Sequence, residues 1–128
     1  MPASTAVVNK GRDIITNRIK GAGTEPLYVA IGTGTTAVSL TDTALGTEVE
    51  TRATGTSSRT TTSTTNDTYQ VVGTITATGS RVVGEVGLFD ASSTGNLFVR
   101  GVLASTVTLA SGDSITVTAT VQVTSSVV

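Results

Sequence analysis

Two carboxylates in the stretch GEVGLFDASSTGNLFVRG, residues 84–101, are the first candidates for chemistry. Glu85 and Asp90 bracket the apolar pair Leu88 and Phe89, with Gly87 between, and a turn containing Gly95 and Asn96 follows. Paired carboxylates act on glycosides when their carboxyl groups stand about 5–9.5 Å apart. Five residues apart on a strand, Glu85 and Asp90 point to opposite faces, because side chains alternate. At roughly 3.3 Å per residue they are about 16 Å apart along the chain. The segment therefore reads as a hairpin rather than a catalytic dyad. In that reading Asp90 accepts bonds from turn N–H groups, and Arg100 on the returning strand faces Glu85 as an ion pair.

Other reactive constellations are poorly supplied. With no His and no Cys there is no base or thiol for the usual nucleophilic triads. A Ser–Lys arrangement has only Lys10 and Lys20 to draw on. The sequence GTGTTA at 32–37 matches G-x-G-x-x-A after an apolar stretch. That fingerprint needs a long helix opening at the glycines, and TTAVSLTDTALG is a poor one, so a Gly-rich loop is expected there. The nine acidic residues are scattered, without a D-x-D-x-D-G loop. Asn66-Asp67-Thr68 matches the glycosylation sequon, a chance match in a chain without a secretion signal. The four aromatics, Tyr28, Tyr69, Phe89 and Phe98, read as core or interface plugs, too few for a stacking platform. No catalytic residue, metal site or cofactor is expected.

The elements that position these residues follow from periodicity. Val8, Ile15 and Ile19, with Ile14 alongside, predict one helix over residues 9–20, stopped by Gly21 and Gly23. Residues 26–32, PLYVAIG, form an apolar strand, and Thr41–Gly46 can hold one helical turn. In residues 68–78, Tyr69, Val71, Ile75 and Ala77 share one face, opposite Gln70, Thr74 and Thr76. In residues 114–124, Ile115, Val117, Ala119, Val121 and Val123 alternate with Thr and Gln. Both patterns are those of antiparallel strands with one buried face. Residues 52–67 are polar and low in complexity, an outer strand or an extended arm. Turn residues imply about six to eight strands. The expected fold is mainly β: an antiparallel β-sandwich or small barrel with one N-terminal helix. It forms a single domain over 1–128, with residues 1–8 as an N-terminal arm and 26–125 as the β-rich body.

Composition narrows the partners. Charged residues make up only 13% of the chain, against about 25% in typical soluble domains. Twenty-eight threonines take much of their place; Thr favours strands and can face water or a polar interface. So few charges suit a chain that ends in an assembly rather than as a free monomer. A net charge of −1 gives no field for nucleic acid. Half of the eight basic residues nevertheless fall in one short stretch: Lys10, Arg12, Arg18 and Lys20. They form either a solvated helix face or a basic foot for an acidic protein surface. No stretch reaches transmembrane length and no signal peptide is evident, so no membrane partner is expected.

Several stretches together carry a resemblance: NKGRDIITNRIKGAGTEPLYVAIGTG, TNDTYQVVGTITATG, EVGLFDASSTGNLFVRG and ASGDSITVTATVQV. From about Asn9 to Val123 the chain resembles small tailed-phage virion proteins, most of all head-decoration (capsid cement) proteins. Its segment Glu85-Val86-Gly87-Leu88-Phe89-Asp90 is also similar to domains of phage tail-fibre and tail-collar proteins. The resemblance implies a non-enzymatic, β-rich virion protein made in the host cytoplasm. As a decoration protein it would sit on the outer capsid surface as a homotrimer and bind the major capsid protein. The alternative is a tail or fibre-attachment component. A small carbohydrate-binding sandwich is a third reading, disfavoured by the few aromatics.

Overall fold

The computed structural model describes residues 2–127; Met1 and Val128, which the single-domain reading includes, lie outside them. The chain runs through β1 (Pro2–Val7), α1 (Asn9–Ile19), β2 (Tyr28–Gly32), β3 (Glu48–Thr54) and β4 (Thr56–Thr60). It continues through β5 (Thr68–Thr76), β6 (Arg81–Phe89), β7 (Leu97–Leu109) and β8 (Ser114–Gln122). Two antiparallel sheets result, ordered β1-β7-β6-β2-β3 and β4-β5-β8. They form an open sandwich, not a closed barrel.

The apolar face of β5 explains the sandwich. Val71, Ile75 and Ala77 are buried while Thr74 and Thr76 are exposed, and β8 pairs with β5 in unbroken register from Gln122 to Ser114. The core lies between the sheets: Val29 and Ile31 of β2, Val83 and Leu88 of β6, Val99 of β7, and Val71, Ile75 and Val117 opposite. Helix α1 adds Ile14 to this core. Gly11 lets the helix approach β7, since a Cβ there would run into the carbonyl of Phe98.

Three expectations change. Pro2–Val7 is no free arm: it is a sheet strand, with Thr5 opposite Gly101 and Val7 opposite Val99. Sequence concealed it because Ser, Thr, Ala and Val give little alternation over so short a run. Residues 41–46 form bends rather than a helical turn, because Asp42 and Leu45 are drawn toward the sheet. The helix ends at Ile19, with Lys20 as its C-cap. Of the alternatives for residues 52–67, the polar outer strand is the one found, as the end of β3, β4 and the turn after it.

Candidate functional site

Glu85 and Arg100 of the hairpin stretch meet on the face of the larger sheet that points away from the sandwich, while Asp90 stays at the hairpin end. Here residues 33–47 run as a loop across β6. Its apolar anchor is Leu45, buried in a second small core with Val8, Ala30, Phe89 and Leu97.

Glu85 holds the loop. Its carboxylate is fully buried and accepts the N–H groups of Gly34, Gly46 and Thr47, each at 2.8 Å. Arg100 Nε completes the set at 2.9 Å. The ion pair expected from sequence is present, with a shifted register: Glu85 lies opposite Val102, and Arg100 opposite Gly87. The same guanidinium donates to Asp42 Oδ2 and the Thr36 carbonyl, both at 3.0 Å. Burial alone would push the Glu85 carboxyl up. The Thr47 and Gly46 N–H groups, then Arg100 and the Gly34 N–H, outweigh it and hold it below the usual glutamate range.

The glycines of the motif belong to the same device. A Cβ at Gly84 would stand 2.6 Å from the Gly34 carbonyl, and one at Gly87 2.8 Å from Leu45 Cδ2. Gly84 and Gly87 thus let the loop lie directly on the strand, with Glu85 between them to bind it. The Gly-rich segment 32–37 does present an N–H to an anion, but the anion is the chain's own carboxylate.

Beyond Glu85, Phe89 and Asp90 fix the hairpin. Asp90 accepts the Asn96 backbone N–H at 2.7 Å and its side-chain Nδ2 at 2.9 Å, with Thr94 and Gly95 at positive φ between. Arg52 lies 3.5 Å above the centre of the Phe89 ring and donates Nη1 to the carbonyls of Ala91 and Thr94. Its other nitrogens bind Glu48. Leu88 points the other way, into the main core.

Carboxylates tie down other turns in the same manner. Glu50, at φ 65° in an irregular stretch of β3, accepts Arg81 Nε at 2.7 Å and the Thr78 N–H and hydroxyl. The bond from Arg81 is the main cause that lowers its pKa. Asp67 accepts the N–H groups of Thr62, Ser63 and Thr64 and the Gln122 amide, and its carboxyl is held well below the usual range. All nine Asp and Glu side chains have at least one donor.

The four cations of the helix region stay exposed and do not converge. At about 100° per residue, the directions of Lys10, Arg12, Arg18 and Lys20 spread around the axis rather than along one stripe. Lys10 pairs with Asp13 at 2.6 Å, and Arg18 donates to the Gly23 carbonyl at 2.9 Å. Sequence reading missed the roles of Arg52, Asp42 and Glu50, which reach Ala91 and Thr94, Arg100, and Arg81 with Thr78 respectively, contacts 28 to 58 positions away that leave no local signal. Among the described residues no His/Cys/Asp/Glu cluster could hold a metal, and no helix is long and apolar enough to cross a membrane.

No curated protein and no solved structure matches the chain. A family model does, that of podophage GP4 fiber I protein gp80, and the match spans residues 2–125. The match takes in both sheets, the loop held by Glu85 and the hairpin closed by Asp90. The chain therefore belongs to the podophage GP4 fiber I protein gp80 family, and is a phage virion structural protein.

Proposed function

We propose that this protein is a non-enzymatic building block of a phage fibre or of its attachment to the tail. The family match over residues 2–125 carries the reading, and it favours the fibre role over capsid decoration. The side chains agree with it. Carboxylates that would serve an active site are spent on backbone N–H groups and guanidinium groups, which stiffens turns instead of offering a base. The partners are other virion proteins. Arg12 and Lys20, which have no carboxylate partner among the described residues, are the cations available to an acidic neighbour, with Lys10 and Arg18 beside them.

Virion dissection tests the proposal. Heads and tails separated by sedimentation are probed for the protein, and it is expected in the tail and fibre fraction. Its presence on expanded heads alone would overturn the fibre role in favour of decoration. Charge reversal of Arg12 and Lys20 then addresses attachment: it is expected to weaken binding most at low salt, where surface charges are least screened. Unchanged attachment would mean that these cations form a solvated face.

A further inference from the structure

The sandwich is lopsided: five strands face three. The three-stranded sheet stops at β8, and among the described residues no strand lies over the inward side of β7 and β1 beyond it. A groove of about 520 Å³ remains, floored by Thr5, Val99, Gly101 and Leu103 and walled by Val117 and Ala119 of β8. None of its lining residues is charged.

The four sheet edges differ in how they are protected. Natural edges are blunted by charges, irregular pairing or shortness, since an unpaired ladder recruits other strands. β1 has shifted register near its start, and β3 carries Glu48, Glu50 and Arg52 with its own irregularity. β4 is five residues long and carries Arg59. β8 has none of these devices: nine residues, regular pairing and no charge. The edge best suited to accept a strand is thus also the one beside the groove.

The chain supplies a fitting strand. After the Val123 N–H bonds the Asp67 carbonyl, residues 124–127 make no hydrogen bond among the described residues. Val123 and Val127 are 67% and 103% exposed. The segment is uncharged, and Val123, Ser125 and Val127 would share one face if extended. Five extended residues span roughly 16 Å, comparable to the roughly 20 Å of the groove wall along residues 115–120. The segment cannot serve its own β8 well. It would have to reverse at once, and residues 123–127 hold no Gly, Pro, Asn or Asp to make that turn.

We infer that residues 123–127 of one copy add as a strand to the β8 edge of a second copy and fill its groove, so that the protein self-associates by strand exchange. The inference is independent of where on the virion the protein sits. Sedimentation of the full chain over a hundredfold concentration range is expected to show association. The double variant Val123→Asp/Val127→Asp is expected to weaken it at least tenfold with unchanged circular dichroism and melting, because both side chains are exposed. The chain has no cysteine, so single-cysteine variants Thr5→Cys and Ser125→Cys, mixed and oxidised, should form a disulfide between the two chains. A wild type that stays monomeric, association that survives the double variant, or no disulfide between the mixed Thr5→Cys and Ser125→Cys variants would each overturn the inference.

Discussion

The two faces of the five-stranded sheet are covered by different kinds of structure and bury different chemistry. On the inner face β5 and β8 provide the cover, and Val29, Ile31, Val83, Leu88 and Val99 lie beneath them. On the outer face the cover is the loop 33–47, and a carboxylate and a guanidinium are buried under it. A strand arrives with its backbone groups already paired to neighbours, so only side chains need attention. A loop brings N–H and C=O groups that must find partners when they leave water. Glu85 and Arg100 supply them: three N–H groups on one, a carbonyl and Asp42 on the other. The charge inside this sheet reflects what lies on top of it.

The comparison can be broken at each face. Glu85→Ala leaves the Arg100 guanidinium buried against one remaining carboxylate and orphans three N–H groups. A loss of about 3–5 kcal/mol is expected in denaturant unfolding, with hydrogen exchange of Gly34, Gly46 and Thr47 accelerated well beyond the global change. If those amides exchange no faster than the β5 amides, the carboxylate is not what holds the loop. Leu88→Ala on the inner face should cost about 3 kcal/mol through the cavity it leaves, with no selective release of the loop. Asp90→Ala, which frees the hairpin end, should cost about 1.5–3 kcal/mol, with its effect on exchange confined to residues 91–96.

Acid should separate the faces without mutation. Glu85 and Glu50 have folded pKa values below their ordinary ones. Their contribution is therefore complete above the unfolded glutamate value and is lost as pH falls through the lower folded value. Loop amides are expected to open in that window before core amides, and simultaneous opening would argue that both faces melt as one unit. The smallest effect belongs to the surface: Lys10→Ala removes an exposed pair with Asp13 and should change stability by less than about 0.5 kcal/mol.

What sequence made legible follows the same division. The inner face could be read, because Tyr69, Val71, Ile75 and Ala77 alternate against Thr, and Ile115, Val117 and Ala119 do the same. Both strands appear where that alternation places them. The turn from Asp90 to Asn96 was also legible, since Asp and a Gly-Asn pair carry their own local hydrogen-bond chemistry. The outer face was not. Nothing in GTGTTAVSLTDTALG says that the N–H groups of Gly34 and Gly46 converge on a residue 51 and 39 positions later. Non-local partners leave no periodic trace. The ion pair of Glu85 with Arg100 could be named, yet its diagonal register and its third member, Asp42, depend on where the loop comes to rest.

The tethering of every Asp and Glu side chain within hydrogen-bond reach of a donor has a consequence for the setting in which a phage works. A particle leaves the crowded interior of a cell for water whose ionic strength it does not control. Dissolved salt acts on charges that are separated and exposed, and hardly at all on pairs in contact and shielded from water. Here the buried pair of Glu85 with Arg100 has little distant field to lose, and hydroxyl pairs such as Thr74 with Thr116 and Thr76 with Ser114 lie on the outward side of the smaller sheet. The stability of the fold should therefore change little with salt as the particle passes from one medium to another.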